Sequence, residues 1–245
     1  NFKYVMSYPG FWQIVFNTVY IALLKMIFRY VVPIVVALLL NEVLNLKFKR
    51  VVQTLIYLPH FISWIVICGV LISILDPTDG AVNEILKVFG MEPVYFLGNK
   101  STFRPVLVIS DVWKEFGYGT IIYMAALTGI DPTLYEAATI DRANRFQKMW
   151  YITLPGMAPV IVLTGILGLG SLLSAGFDQI FNLSNAATKN VAEVLDMYIY
   201  RITFTASTDF GFSTAVSLFR SIINMTLLVI ANKGSKMMGG TGLFG

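Results

Sequence analysis

The chain has 245 residues, of which 56% are hydrophobic and 13% are charged, and its mean hydropathy is +0.71. These values lie far outside those of water-soluble domains and favour a membrane protein. The net charge of +4 is spread over several short loops, which argues against the single basic face typical of nucleic-acid binding. Cys68 is the sole cysteine of the sequence, so no internal disulfide and no thiolate metal cluster can form.

Apolar runs long enough to cross the hydrocarbon core of a bilayer, about 30 Å thick, recur along the chain. The first run is longer than a bilayer needs and carries Lys25 and Arg29 one turn apart, so we expect it to be tilted or partly outside the hydrocarbon. The fold class predicted is therefore an all-α, polytopic membrane protein. Its five predicted spans are Gln13–Leu40, Thr54–Leu75, Val106–Leu127, Met157–Phe177 and Phe212–Ala231.

Lysine and arginine in the connecting loops predict the orientation of these spans. Both are concentrated in loops 41–53 and 128–155 and in the C-terminal tail, whereas the acidic residues are concentrated in the longer segments 76–104 and 178–211. This bias places the C-terminus in the cytoplasm and Asn1 outside. A chain that starts in the cytoplasm then needs one more span before Asn1, so we expect a sixth span upstream.

The cytoplasmic stretch 128–155 carries start signals for two short helices. Asp131 followed by Pro132 is an N-cap with proline at the first helical position. Asn144 with Gln147 three residues later is a second capping pair. Because both helices have an apolar side, we predict a helical hairpin suited to docking in a groove.

This hairpin resembles the EAA loop of binding-protein-dependent ABC importer permeases, through Glu136-Ala137-Ala138, Asp141, and then Ile152, Leu154 and Pro155. The resemblance implies coupling helices that sit in a cleft of an ATP-binding subunit, with Glu136 as the acidic contact. The family usually has glycine where this chain has Arg142, which removes backbone freedom at the turn and adds a charge. The coupling residues implied are Glu136, Ala137, Ala138, Asp141, Arg142, Leu154 and Pro155.

Other stretches look like the polysaccharide-type branch of carbohydrate permeases, namely Asn41-Glu42, Lys49-Arg50, the segment from Tyr57 to Phe61, and Ile230-Ala231-Asn232-Lys233. The resemblance implies a type I ABC importer permease fold as one transmembrane domain over 1–245, in a bacterial plasma membrane. It implies that the chain is a transport subunit and not an enzyme. The chain itself would bind no cofactor, and partner subunits would bind ATP and magnesium. The partners implied are a second homologous permease, two ATP-binding cassette subunits, an extracytoplasmic solute-binding protein, membrane lipid and an oligosaccharide substrate.

Several charged and aromatic side chains lie within the predicted spans. Placing a charged side chain at the membrane centre costs roughly 2.5 to 3.5 kcal/mol of insertion free energy, so we expect each charge to face protein or water. The charged set either forms a salt-bridge network, in which Asp111 and Lys114 can pair along one helix, or lines a substrate path. The aromatic set supplies flat faces that suit sugar rings, or anchors span ends at the membrane interface. The charged residues are Lys25, Arg29, Asp111, Lys114, Glu115 and Arg220, and the candidate substrate-path residues are Trp64, Trp113, Phe116, Tyr118, Tyr123 and Phe177.

Two alternative functions remain open at this point. A membrane-embedded transferase acting on lipid-linked sugars would use Asp111, Glu115 and His60 as its polar centre, and a permease of the same family could carry another solute, such as a peptide, an amino acid or phosphate. The sequence has no glycine-rich phosphate loop, and its single histidine argues against a metal site.

Overall fold

The structure, a computed structural model, describes residues 10–206 and 210–237. Every regular element in these two stretches is helical, which confirms the predicted all-α class. The longer helices are α1 (Phe11–Asn41), α2 (Leu46–Tyr57), α3 (Trp64–Ile74), α4 (Ala81–Val88), α5 (Lys100–Thr128), α6 (Pro132–Ile140), α8 (Leu154–Gly170) and α12 (Phe210–Met237). The short ones are α7 (Arg145–Lys148), α9 (Phe177–Leu183), α10 (Lys189–Ala192) and α11 (Leu195–Arg201).

The helices group into two compact units, and α1, α5 and α12 each begin in the first unit and end in the second. The described part of the first unit comprises 10–26, 61–113, 171–206 and 210–224, and that of the second comprises 27–60, 114–170 and 225–237.

The core of the first unit forms where the start of α1 meets α11 and α12. Phe11 and Tyr198 are fully buried there, with ring centroids 6.3 Å apart, and Phe219 packs against Phe11 at 5.8 Å. Leu173 and Leu195 also belong to this cluster. The unit is thus held by apolar contacts between residues that are distant in sequence.

The core of the second unit forms around Ala37, Tyr123, Leu127 and Met157, contributed by α1, α5 and α8. Close approach of α5 is made possible by Gly117, because a Cβ atom there would lie 1.8 Å from the carbonyl oxygen of Ile56. Small residues at such contacts are typical of helix packing in membranes, where van der Waals contact replaces the hydrophobic effect.

By length and apolarity, three helices of the described chain can each cross a membrane, namely Phe11–Asn41, Arg145–Gly170 and Ser213–Met237. These correspond to the first, fourth and fifth predicted spans. The third, within α5, is helical as predicted but less apolar, since it carries Asp111, Lys114 and Glu115. The count of five spans remains a prediction.

Two predicted spans differ from the helices in the structure. The span Thr54–Leu75 is not one helix, because a 3₁₀ turn at Leu58–Phe61 interrupts it and α3 starts afresh with Ser63 as its N-cap. Proline disfavours helix for the residue before it and lacks a donor N–H, which accounts for the break at Pro59. The fourth span ends at Gly170 rather than Phe177, because a turn and the left-handed Gly176 separate α8 from α9.

Candidate functional site

The predicted hairpin is present, and its first helix, α6, starts where the sequence indicated. Asp131 is the N-cap, and its Oδ1 accepts a hydrogen bond from the backbone N–H of Thr133 at 2.9 Å, with Pro132 at the first helical position. Hydrogen bonds from Thr133 lower the pKa of Asp131, because they favour its charged form. The prediction of this cap is confirmed.

The turn between α6 and α7 is built on Arg142, which is the one non-glycine residue of the described chain with a positive φ, at 57°. Its N–H donates to the carbonyl of Thr139 at 3.1 Å, and the N–H of Ala143 donates to the carbonyl of Ala138 at 2.9 Å. This pair of bonds is a Schellman motif, in which the residue at the position of Arg142 is usually glycine. The resemblance implies glycine at this position, and the positive φ gives a backbone reason for that residue.

The second helix of the hairpin, α7, begins with a complete capping box. Asn144 Oδ1 accepts from the N–H of Gln147 at 2.9 Å, and Gln147 Oε1 accepts from the N–H of Asn144 at 2.7 Å. The helix continues through a π-helical turn at Met149–Thr153 directly into α8, which starts at Leu154 and Pro155. Arg145–Gly170 thus runs as one 26-residue helix from the hairpin into an apolar span.

Side-chain contacts hold the two halves of the hairpin together. The hydroxyl groups of Tyr135 and Thr153 lie 2.9 Å apart, and Lys148 Nζ donates to the hydroxyl of Thr139 at 2.7 Å. These contacts join α6 to the segment that leads into α8.

The outer face of the hairpin is open. Glu136 and Ala137 are exposed, and Glu136 forms no ion pair within the described residues. Large apolar side chains lie exposed beside them, with Ile140 82% and Phe146 77% accessible. Large exposed apolar side chains that lie together with polar ones are typical of a surface that contacts another protein.

A polar cluster lies in the second unit where the chain breaks at Pro59. His60 Nδ1 lies 2.9 Å from Glu115 Oε2, and the imidazole stacks on the ring of Tyr118 with centroids 4.1 Å apart. Lys114 donates to the backbone carbonyl of His60 at 2.6 Å and lies 3.4 Å from Glu115. The carbonyl left open by the helix break is thereby satisfied by a charged donor.

A second polar network is buried in the first unit. Lys25 Nζ lies 3.2 Å from Asp111 Oδ1, with the two side chains 5% and 1% exposed, and also donates to Gln179 Oε1 and to the carbonyl of Ala175. Gln179 Nε2 donates to Ser110 at 2.8 Å. Sequence analysis missed Gln179, because its partners are distant in the chain and no local pattern marks it.

The charged residues therefore form paired networks in both units. Asp111 has Lys25 of another helix as a partner, and its pairing with Lys114 in its own helix stays a prediction. Arg220 contacts Asp196 and donates to Ser174 Oγ at 2.5 Å. The predicted salt-bridge network is thus supported. Of the alternative polar centre, His60 pairs with Glu115, and Asp111 contacts Lys25.

The candidate substrate-path residues are distributed over both units. In the second unit, Tyr118 is exposed and Phe116 half-buried, whereas Tyr123 is 3% exposed and hydrogen-bonded to Thr164 at 3.1 Å, so its ring packs in the core. In the first unit, Trp64 is half-buried and Trp113 is exposed. Phe177 joins an aromatic cluster that sequence analysis did not identify, formed by Phe177, Phe181, Tyr200 and Phe204. The assignment of these residues to a path remains a prediction.

Among the described residues, no three His, Cys, Asp or Glu side chains come close enough together to hold a metal ion.

Comparison with known proteins gives matches over the whole chain. The family described as binding-protein-dependent transport system inner membrane component matches residues 29–231. The chain is 40% identical over 244 residues to the polygalacturonan/rhamnogalacturonan transport system permease protein YteP of Bacillus subtilis, covering 100% of this chain and 76% of that protein.

Two solved structures are similar in both sequence and fold. One is a bacterial ABC transporter involved in the import of the acidic polysaccharide alginate, with a TM-score of 0.93 and 35% identity over 96% of this chain and 82% of the other. The other is a bacterial alginate ABC transporter in complex with alginate pentasaccharide-bound periplasmic protein, with a TM-score of 0.95 and 35% identity over 99% and 84%.

Proposed function

The chain belongs to the family of binding-protein-dependent transport system inner membrane components, and from this premise we propose that it imports oligosaccharides as one permease subunit of an ATP-driven ABC importer. It is a multi-pass membrane transport protein and not an enzyme. ATP and magnesium are bound by partner subunits, and this chain binds no cofactor of its own.

The substrate class is supported by the similar proteins. The relative and the two solved structures are all named for polysaccharides, and one of the structures holds a periplasmic protein loaded with an alginate pentasaccharide. We propose by analogy that an extracytoplasmic binding protein delivers an oligosaccharide to this permease. A second, homologous permease completes the path, and two ATP-binding cassette subunits supply the energy.

The orientation proposed follows from the loop charges. The hairpin α6–α7 and the C-terminus face the cytoplasm, where the ATP-binding subunits are, and the segments 76–104 and 178–211 face the opposite side. This direction agrees with the positive-inside rule, since 128–155 carries Arg142, Arg145 and Lys148.

The mechanism proposed is mechanical coupling through the hairpin. ATP-driven closure of the partner subunits displaces α6 and α7, and the continuous helix Arg145–Gly170 carries this displacement into the membrane, alternating access between the two sides. The observation that carries the proposal is this continuity: an exposed, capped hairpin is joined without a break to an apolar span.

Replacement of Glu136 tests this role. Truncation of one partner of a buried charge pair at an interface costs roughly 2 to 5 kcal/mol, and each 1.4 kcal/mol is a tenfold change in affinity. We therefore expect Glu136→Lys to lower ATP-dependent oligosaccharide uptake at least about tenfold in reconstituted transporter. Glu136→Ala should also lower this uptake.

The matched control is Glu92→Ala, which removes another exposed carboxylate in a segment placed on the opposite side. This variant should keep normal uptake. Unchanged uptake and unchanged subunit assembly in both Glu136 variants would contradict the proposed coupling role.

A further inference from the structure

A pocket of about 370 Å³ lies in the first unit, within the segment 178–211. It is formed by α9, the turn that follows it, α10 and α11, and none of the residues named as coupling or substrate-path candidates lines it. The volume falls in the range of roughly 300 to 1,000 Å³ that is usual for small-molecule sites. A single sugar residue fits in such a volume.

The charged lining of this pocket is positive on balance. Lys189 is exposed and forms no ion pair with another described residue, while Arg201 and Glu193 pair with each other at 2.5 Å. The Glu193 carboxylate is thus already neutralised by Arg201, whose side chain is still 34% exposed. The ammonium of Lys189 is left as the uncompensated charge, and it favours an anionic ligand.

The apolar part of the lining includes two aromatic rings. Phe181 and Tyr200 are both exposed at the pocket, with ring centroids 5.2 Å apart and an interplanar angle of 72°. Phe177 stacks on Phe181 at 5.2 Å, and Phe204 lies 5.4 Å from Tyr200, so neighbouring rings hold both in place. Rigid aromatic faces of this kind pack against the C–H face of a sugar ring.

We propose that this pocket binds a carboxylate-bearing sugar residue of the transported oligosaccharide, with Lys189 contacting the carboxylate and Phe181 and Tyr200 packing against the ring. The inference rests on the proposed function and adds the charge of the substrate to it. Arg201, which is paired with Glu193, also lines the pocket.

The test uses the assembled transporter in lipid nanodiscs without binding protein, because the binding protein would itself take up sugar. The probes are tri-galacturonate and its fully methyl-esterified form, which have the same rings but differ in charge. Binding is measured by equilibrium dialysis for the wild type, for Lys189→Gln, for Phe181→Ala and for Lys100→Gln. Lys100 is the matched control, since it is an exposed lysine of the same unit outside the pocket.

The wild type should bind the acidic probe more tightly than the ester. Lys189→Gln should weaken binding of the acidic probe by about threefold to tenfold and leave the ester unchanged, since one charge-assisted contact is lost. Phe181→Ala should weaken both probes, and Lys100→Gln should change neither.

Several outcomes would overturn the inference. The first is that the wild type does not bind the acidic probe. The second is that Lys189→Gln loses the same affinity for both probes, or that Lys100→Gln has as large an effect as Lys189→Gln. The third is that Lys189→Gln loses affinity for sugar-free binding protein, a result that would assign the pocket to protein docking. The proposed function fails separately: a transporter with no ATP-dependent sugar uptake would contradict it, whereas normal uptake with an unaffected Lys189→Gln variant would refute the pocket alone.

Discussion

Arg142 occupies a backbone conformation that an arginine adopts only at a cost. Its φ of 57° lies in the left-handed region, where the Cβ atom of an L-residue crowds the following carbonyl, at a cost of roughly 1 to 3 kcal/mol. The two hydrogen bonds of the Schellman turn hold it there. The departure from the usual glycine was visible in the sequence, and the structure adds the conformational reason.

Restoring glycine at this position should therefore stabilise the protein. We expect Arg142→Gly to raise the free energy of unfolding by about 1 kcal/mol, which corresponds to a rise in melting temperature of roughly 2 to 4 °C for a chain of this size. The measurement is thermal unfolding of the purified protein in detergent, together with ATP-dependent uptake by the assembled transporter.

The control is Arg145→Gly, the same substitution three residues later at an exposed helical position. Glycine in a helix is unfavourable, so this variant should be destabilised by roughly 0.5 to 1 kcal/mol. A fall in stability in both variants would show that the turn gains nothing from glycine. A change in uptake by Arg142→Gly would show that the charge at the turn also matters for coupling.

The partners of individual charged residues could not be predicted from the sequence. The sequence marked Lys25, Asp111 and Lys114 as charges that need partners, and that expectation is correct. The contact between Lys25 and Asp111 joins two helices, however, and Gln179 enters from a third. Local spacing predicts neighbours on one helix, whereas these contacts depend on how helices pack.

At the level of elements, capping chemistry made the hairpin predictable. The Asp131 cap and the capping box of Asn144 and Gln147 are each formed by residues that lie within three positions of each other. Both caps can therefore be predicted from the sequence alone. The break between α2 and α3 was harder to predict. Pro59 and the cap at Ser63 are visible, but the apolar run continues through them and its length alone favours one span. The polar cluster at His60 follows from that break.

Close packing of α5 against α2 gives a prediction at this scale. A Cβ at Gly117 would lie 1.8 Å from the carbonyl oxygen of Ile56, which is backbone and cannot swing away. We expect Gly117→Ala to destabilise the protein by roughly 1 to 3 kcal/mol, as overpacked cores do. Thermal unfolding of the purified variant measures this loss.

Gly69 provides the comparison, since it lies in α3 and a Cβ added there meets no atom within 4 Å. Gly69→Ala should be neutral or stabilising by about 0.5 to 1 kcal/mol, because alanine is the better helix former. Equal stability of the two alanine variants would mean that the tight approach at Gly117 does not exist.

For the whole molecule, the membrane class and the family could be predicted from composition and the hairpin motif. The pocket proposed to bind a sugar residue could not, because its lining comes from three short helices whose sequences carry no shared pattern. The large apolar side chains exposed along α1, α8 and α12 have a common explanation at this scale. A multi-pass membrane protein is surrounded by lipid, which covers apolar side chains of this kind.

The most direct test of this account is a cross-link between the hairpin and an ATP-binding subunit. In a Cys68→Ser background, Ala137→Cys places a thiol on the exposed face of α6, and Ser101→Cys places one at an exposed position proposed to lie on the opposite side. When membranes containing the transporter are treated with a short thiol-reactive photo-cross-linker, the variant at 137 should be cross-linked to the ATP-binding subunit. The variant at 101 should not be cross-linked to it. Failure of the variant at 137 to join, in transporter that still imports sugar, would contradict the role of the hairpin as the coupling element.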